Sequence, residues 1–177
     1  MTVRIATPAD ATALAEVGAV TFPLACPPGT PREAIDDFVA AALSEAAFAR
    51  YLADPERLLL VDDPADGGPL AGYTMLVLAE PGDPDVLRAV RIRPTCELSK
   101  CYVRPGHQGS GTASVLMEHS VAAARDRGAA GMWLGTNQAN ARAIRFYEKH
   151  GFVPVGERRF RLGDRLEHDF VLELALT

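Results

Sequence analysis

The chain of 177 residues is 48% hydrophobic and 23% charged, a composition typical of a globular domain rather than of a disordered or fibrous protein. Its net charge of −5, without a basic patch interleaved with aromatic residues, argues against a nucleic-acid-binding module. Three cysteines without CxxC spacing predict neither a disulfide framework nor a zinc site, and the sequence has no apolar run of membrane-spanning length.

These features also set expectations for the whole protein. The chain shows no internal repeat or low-complexity segment, so residues 1–177 are predicted to form one domain. The N-terminus lacks a charged leader followed by an apolar stretch, which together with the cysteine usage predicts a cytoplasmic protein without a membrane partner. Residues 1–90 hold five basic and 14 acidic side chains, whereas residues 91–177 hold 13 and nine. An anionic ligand is therefore expected to favour the second half and a cationic ligand the first.

The first half of the chain predicts a strand, three helices and a hairpin. Residues 3–6 (VRIA) predict the strand, and residues 8–20 predict a helix with apolar residues at helical spacing. An alanine-rich, acidic stretch over 31–53 predicts two short helices. The apolar runs 58–61 and 70–79, separated by the turn DDPADGGP, predict a β-hairpin.

A segment with three prolines, from Pro81 to Thr95, follows this hairpin. It is predicted to be a long connection without secondary structure of its own. Connections of this length serve as functional lids or are disordered, and the sequence leaves open which of these applies.

In the second half the pattern alternates between strands and helices. The predicted elements are strand 96–103, helix 112–127 ended by Gly128, strand 131–135, helix 140–150, and a closing hairpin of 152–162 and 165–175 around Gly163-Asp164. Strands before and after a central β-α-β-α unit predict an α/β (α+β) protein.

The turn between strand 96–103 and the following helix, RPGHQGSGT, contains three glycines. Successive backbone amides at a helix N-terminus, without side chains in the way, suit a diphosphate. A P-loop would need a lysine after Gly111, and a Rossmann fingerprint would need a third glycine and an acidic residue after the next strand. An ordinary tight turn into a helix is the remaining alternative.

Two motifs resemble the GNAT N-acetyltransferase superfamily. The hexapeptide QGSGTA (108–113) resembles the family's pyrophosphate loop, and NARAIRFYEKHGF (140–152) resembles its later Asn-x-x-Ala-x-x-Phe-Tyr motif with the Gly-Phe that follows. One helix and one strand separate the two motifs, as in the family. More narrowly, ELSKCYV (97–103) and FRLGD (160–164) resemble bacterial members that acetylate spermidine and spermine.

The resemblance implies the GNAT fold, with a mixed central sheet, splayed middle strands and flanking helices, and acetyl-CoA as cosubstrate without a metal. Strand residues 98–103 are then implied to bond the pantetheine arm, and residues 108–113 the diphosphate. The cofactor-binding residues implied in this way are Leu98, Cys101, Tyr102, Val103, Gln108, Gly109, Ser110, Gly111, Thr112, Ala113 and Asn140. Candidates for the 3′-phosphate are Arg104, Arg142 and Arg145, unless these are simply solvated.

The implied reaction is direct attack of an amine on the thioester carbonyl. Glu97 is the candidate general base, with His107 and Glu80 as alternatives, because the acceptor ammonium must lose a proton before it attacks. Tyr147 is implied to protonate the departing thiolate, and a backbone amide near Cys101 or Tyr102 to stabilise the oxyanion. A covalent mechanism through Cys101 or Cys96 is the rival, although the sequence places no histidine to activate either thiol.

The acceptor is expected to be a small-molecule primary amine, such as a polyamine. Carboxylates on the first helices and the long connection suit a cationic acceptor, although most of them are expected simply to keep alanine-rich helices soluble: Glu33, Asp36, Asp37, Glu45, Asp83 and Asp85. Peptide N-termini, lysine side chains, amino acids and aminoglycosides stay open, as does an acyl-CoA-binding sensor without transferase activity. The hairpin near Gly163 is expected to reach the site or a second subunit of a homodimer.

Overall fold

The computed structural model describes residues 2–65 and 67–177 and shows a single seven-stranded sheet in this part of the chain. The strands are β1 (Thr2–Ile5), β2 (Arg57–Asp63), β3 (Gly72–Val77), β4 (Thr95–Val103), β5 (Gly131–Asn137), β6 (Val153–Leu162) and β7 (Arg165–Ala175). The helices are α1 (Ala11–Ala25), α2 (Arg32–Ala42), α3 (Glu45–Ala53), α4 (Pro84–Ala89), α5 (Thr112–Asp126) and α6 (Ala141–Lys149), and a 3₁₀ turn (Pro8–Asp10) precedes α1.

The predicted elements of the second half are confirmed within a few residues, and two predictions in the first half are corrected. The segment Pro81–Thr95 contains a helix, α4, which Asp83 caps by accepting a hydrogen bond from the Asp85 amide (2.8 Å). The first helix continues beyond residue 20 to Ala25, because Thr21 and Phe22 are buried. In α1, tertiary burial outweighs the local signal of Pro23, whereas Pro84 stands at the start of α4, where proline is compatible with a helix. The predicted turn at 62–69 includes residue 66, which lies outside the described residues.

The connection that carries α4 is held on the sheet. The amides of Arg91 and Ile92 donate to the buried carboxylate of Glu173 on β7, at 2.8 and 2.9 Å. Val86 and Val90 are buried against the Trp133 ring. The segment is therefore an ordered part of the fold, packed on the face of the sheet formed by β5, β7 and β6.

The strand order β1-β2-β3-β4-β5-β7-β6 is antiparallel except between β4 and β5. These two parallel strands pair only where Thr95–Glu97 lies beside Gly131–Trp133, and beyond that point they diverge. On the other side of β4, Met75 faces Lys100 and Leu76 faces Leu98, so Ser99 is an extra residue in the ladder, a β-bulge. The expected mixed sheet with splayed middle strands is confirmed.

Helices cover both faces of the sheet. Helices α5 and α6 pack on one face, where Leu98, Met117 and Leu134 are buried. Helices α1 to α3 pack on the other face around Phe48 and Tyr73. The gap between β4 and β5 therefore lies between two helical layers and opens toward both.

Candidate active site

A cleft of about 780 Å³ lies at the point where β4 and β5 diverge. A cleft of this size is typical of small-molecule and cofactor sites. One end, bounded by the N-terminal ends of α5 and α6, will be called the cofactor half. The other end, bounded by α1, α2, β6 and β7, will be called the acceptor half.

The glycine turn forms the wall of the cofactor half. Gly109 and Gly111 have φ angles of +83° and +91°, which side chains rarely adopt, and an added Cβ at either would meet only open space. The amides of Gly109, Gly111 and Ala113 donate to no acceptor among the described residues. All three residues line the cleft at the positive end of the α5 dipole. This arrangement suits an anion such as a diphosphate.

Ser110 and Thr112, which were predicted to bind the cofactor, do not face the cleft. The Ser110 hydroxyl donates to the His107 carbonyl (2.5 Å) and lies 2.9 Å from the Thr112 hydroxyl, and Thr112 is buried. Neither side chain lines the cleft. Their hydrogen bonds hold the turn in shape, while the neighbouring glycines and Gln108 face the cleft.

The three candidate arginines for the 3′-phosphate are separated by the fold. Arg142 lines the cleft and donates to the Gln108 side-chain oxygen at 2.8 Å, which joins α6 to the glycine turn. Arg104 instead donates to the Leu70 carbonyl and lies 3.5 Å from Glu16. Neither Arg104 nor Arg145 lines the cleft. Arg142 is therefore the arginine placed to meet a ligand there.

Helix α6 places the Asn140 and Tyr147 side chains at the cleft. Asn140 caps the helix by accepting a hydrogen bond from the Ala143 amide at 3.1 Å. Tyr147 packs edge-on against Phe146 and Phe152, and burial raises the pKa of its hydroxyl well above the ordinary value. The hydroxyl makes no hydrogen bond with any residue that the structure describes. It is thus a protonated, unengaged donor beside the cleft.

The strand bulge places Glu97 and Lys100 in the cleft near each other. Burial raises the pKa of the Glu97 carboxyl, and the positive charge of Arg158 is the largest influence that opposes the rise. Burial lowers the pKa of Lys100 to about 8, and its Nζ lies 5.5 Å from the centre of the Tyr51 ring. Glu97 has no ion pair with a described residue, so its carboxylate is free to bind a ligand.

The alternatives to Glu97 as base and to direct attack have less support from the geometry. His107 lines the cleft, but Glu80 is exposed, pairs with Arg93 and lies outside it. Cys96 is buried away from the cleft, whereas Cys101 lines it. Burial raises the pKa of each of these two thiols to about 12, which disfavours the nucleophilic thiolate.

Three charged residues of the acceptor half were not predicted from the sequence. Arg158 on β6 pairs with Asp169 on β7 (Nε to Oδ2, 3.3 Å), and its guanidinium lies 5.5 Å from the centre of the Trp133 ring. A Cβ at Gly135 would lie 2.4 Å from the guanidinium, so this glycine provides the space for it. Glu167 lies two residues before Asp169 on the same strand face. Two sequence signals could have indicated these residues: Gly135 inside a strand, and the alternation along β7 that puts Glu167 and Asp169 on one face.

The carboxylates predicted to bind the acceptor lie elsewhere. None of the six lines the cleft: Glu33, Asp36, Asp37, Glu45, Asp83 and Asp85. Asp36 pairs with Arg32 on α2, and Asp85 pairs with Arg88 on α4. The suggestion that these carboxylates bind the acceptor is wrong, and the alternative expectation, that most of them keep their helices soluble, fits the exposed ones on α2 and α3. The hairpin prediction was better placed, since the β6–β7 turn does reach the acceptor half.

Among residues 2–65 and 67–177, no cluster of three or more histidine, cysteine or acidic side chains is arranged to hold a metal ion. In the same part of the chain, none of the helices has the length and apolarity needed to cross a bilayer.

Comparison with known proteins identifies relatives of this chain. The model of the "Acetyltransferase (GNAT) family" matches residues 27–152. An uncharacterized N-acetyltransferase of Mycobacterium tuberculosis is 48% identical over 163 residues, which cover 92% of this chain and 96% of the relative. Streptothricin acetyltransferase of Streptomyces lavendulae is 34% identical over 98 residues, 54% of this chain and 52% of the relative.

A solved structure confirms the expected fold. The crystal structure of PaiA N-acetyltransferase from Thermoplasma acidophilum, in complex with coenzyme A, superposes with a TM-score of 0.76. The superposition covers 99% of both chains at 18% sequence identity. At this identity the likeness concerns the fold alone.

Proposed function

The chain belongs to the GNAT acetyltransferase family and is an N-acetyltransferase; from this premise we propose that it transfers the acetyl group of acetyl-CoA to a primary amine by direct attack in a ternary complex. One observation carries the proposal. A single cleft joins a row of unbonded amides at the N-terminus of α5 to an unpaired carboxylate, Glu97, on β4. The first suits a diphosphate and the second suits a cationic amine.

The cofactor half fits the shape and charge of acetyl-CoA. The amides of Gly109, Gly111 and Ala113, with Arg142 beside them, would hold the phosphates. From Leu98 onward, the edge of β4 that faces β5 is unpaired. The amides of the pantetheine arm would pair with this edge as an added strand does. When bound, acetyl-CoA supplies the acetyl group as an activated thioester.

The chain's own residues would handle the protons. An alkylamine of pKa ~10.4 is almost fully protonated at pH 7, and removing its proton costs about 4–5 kcal/mol. Glu97 accepts that proton, and the freed amine nitrogen attacks the carbonyl carbon. A backbone amide near Cys101 or Tyr102 donates to the oxyanion. The carbon–sulfur bond then breaks, Tyr147 gives its hydroxyl proton to the departing sulfur, and the nitrogen gives up its second proton to form the amide, which restores the Tyr147 hydroxyl.

The cationic nature of the acceptor is supported by Glu97, which lines the cleft and has no ion pair with a described residue, whereas Glu167 and Asp169 are paired with arginines. A polyamine is the narrower proposal that the sequence resemblance suggests. One argument for a polyamine does not hold, because the carboxylates of α2, α3 and the α4 segment lie outside the cleft. A polyamine therefore belongs in the test as one member of an amine panel.

The experiment is coenzyme A release from acetyl-CoA against a panel of primary amines, with Tyr147→Phe beside the native enzyme. We expect Tyr147→Phe to lose at least a hundredfold in kcat while its acetyl-CoA Kd stays within twofold, because only proton donation is lost. Tyr73→Phe is the matched control, since the Tyr73 hydroxyl is buried, unpartnered and outside the cleft. Absence of acetyl-CoA binding, or of turnover with every amine, would overturn the proposed function.

A further inference from the structure

An aromatic wall lines one side of the acceptor half. It consists of Phe22, Phe38 and Phe160, which come from α1, α2 and β6. The Phe22 and Phe38 rings stack with centroids 4.2 Å apart, and the edge contact between Phe38 and Phe160 is 5.9 Å. Rings held in place by one another present a rigid apolar surface, which binds an apolar body with little loss of side-chain freedom.

An exposed leucine extends the apolar surface toward solvent. Leu24 lines the cleft and keeps 64% of its surface exposed. Pro27 and the buried Leu162 line the same cleft, so Leu24 is not its only apolar lining residue outside the aromatic wall. Contiguous exposed apolar surface beside a cleft marks a place where an apolar ligand is bound.

The charged side of the acceptor half has room for one ammonium group. Asp169 is paired with Arg158, and the Glu167 carboxylate lies 3.1 Å from Arg165 Nε and accepts a hydrogen bond from Asn137. Among the described carboxylates that line the cleft, Glu97 is the one without an ion pair. A polyamine would bring several charges into a half-buried site that offers one free carboxylate among the described residues. Each ammonium group left without a partner there would lose hydration without a compensating ion pair, which weakens binding.

The outer side of the acceptor half is bridged. Arg165, in the β6–β7 hairpin, donates from Nη1 to the Gly29 carbonyl in the α1–α2 loop at 3.0 Å. At the hairpin turn, a Cβ on Gly163 would lie 2.9 Å from the Ala34 Cβ on α2, so the turn packs directly on that helix. An extended peptide needs a groove that is open at its end. The bridge favours a compact molecule instead.

We infer that the acceptor is a small, singly charged primary amine on an apolar, aromatic body, whose ammonium meets Glu97 while its body packs on the aromatic wall. This inference rests on the proposed function and narrows it. Two features carry it jointly: three mutually packed rings on one side of the acceptor half, and a single free carboxylate on the other.

The test compares kcat/KM at saturating acetyl-CoA for 2-phenylethylamine, ethylamine, spermidine and a short peptide with a free N-terminus. We expect 2-phenylethylamine to exceed each of the other three by at least tenfold. The ratio of kcat/KM for 2-phenylethylamine over ethylamine should fall about tenfold in Phe38→Ala, because the aromatic body loses its contact. Ethylamine has no body to reach the wall, so it serves as the internal reference.

Val39→Ala is the matched control for this variant. Val39 is the next residue of α2, is half-buried in the same core and does not line the cleft. We expect it to leave the amine ratio unchanged while it lowers thermal stability. If Phe38→Ala does not fold, Phe38→Leu keeps an apolar side chain there and should still lower the ratio severalfold.

The outcomes separate this inference from the proposed function. Spermidine or the peptide as the best acceptor, or an amine ratio that survives Phe38→Ala or Phe38→Leu, would overturn the inference and leave the N-acetyltransferase function standing. Absence of turnover with every amine would count against the proposed function itself, and the narrower inference would fall with it.

Discussion

The two halves of the cleft are built in different ways. The cofactor half consists mainly of two short contiguous segments, residues 108–113 and 140–147, and it offers backbone amides at helix N-termini. The acceptor half is assembled from single side chains on α1, α2, β4, β6 and β7. Backbone amides are common to every residue except proline, so the cofactor half depends on conformation, whereas the acceptor half depends on which side chains meet.

This difference suggests how the two halves respond to mutation. A change that distorts the backbone of the cofactor half should alter acetyl-CoA binding, whereas removal of the Tyr147 hydroxyl should alter only the rate. A change in the acceptor half should alter the rate, the amine KM or the balance of charge, and should leave acetyl-CoA binding intact. Four substitutions test this separation.

Glu97→Gln should have the largest effect, a loss of at least a hundredfold in kcat/KM for the amine at neutral pH. Because the base must be deprotonated, native activity should rise with pH through the pKa of Glu97, which burial raises above the ordinary value. The variant should lose this acidic limb and keep its acetyl-CoA Kd. A pH–rate profile with an unchanged acidic limb would move the base to another group, such as His107.

Lys100→Met should stabilise the protein at pH 7 by about 1–3 kcal/mol. Burial lowers the pKa of Lys100 to about 8, so below that pH the charged side chain destabilises the folded state relative to the unfolded state. Native stability should therefore rise as pH increases from about 8 toward the ordinary lysine value, 10.5, and the advantage of the variant should shrink over that window. Urea unfolding at pH 7 and pH 10 measures the difference. A constant difference would show that the charge of Lys100 is well solvated.

Gly111→Ala should weaken acetyl-CoA binding about tenfold, because a Cβ strains the left-handed backbone that orients the loop amides. Gly128→Ala is the matched control at the other end of α5, with φ +83° and open space around it. Both variants should lose about 1 kcal/mol of stability. Calorimetric titration with acetyl-CoA distinguishes the two variants. Equal loss of affinity in both would show that the effect does not come from the loop amides of the cofactor half.

Gly135→Ala should have the smallest effect. Its Cβ would lie 2.4 Å from Arg158 Nη2, the end of a flexible side chain, so the guanidinium must shift and its ion pair with Asp169 is weakened. We expect the amine KM to rise about threefold with acetyl-CoA affinity unchanged, in line with a small shift in a polar contact. Gly82→Ala, where an added Cβ meets open space, is the control. A loss of acetyl-CoA affinity in Gly135→Ala would contradict the separation.

Local signals in the sequence predicted more of the cofactor half than of the acceptor half. Gly111 and Gly128 bound helix α5 as expected, and Asn140 caps α6, because caps and turns are decided by neighbours in the chain. Helix α4 was missed because its stability depends on Val86, and on Val90 just after the helix, packing in one cluster with Trp133, a contact that crosses more than 40 residues. The Ser110 and Thr112 side chains do not line the cleft because they make hydrogen bonds within the turn itself.

The sequence by itself determined the order of the strands and helices and the glycine turn that precedes α5, because these depend on hydrophobic spacing and on backbone conformation over a few residues. Only the tertiary structure decided which charges share the cleft. Strand β7 lies between β5 and β6, and this order brings Arg158 over Gly135 and beside Asp169. Glu97 lies where β4 separates from β5, and its carboxylate has no ion pair with a described residue. Contacts of this kind join residues far apart in the chain, and no local pattern records them.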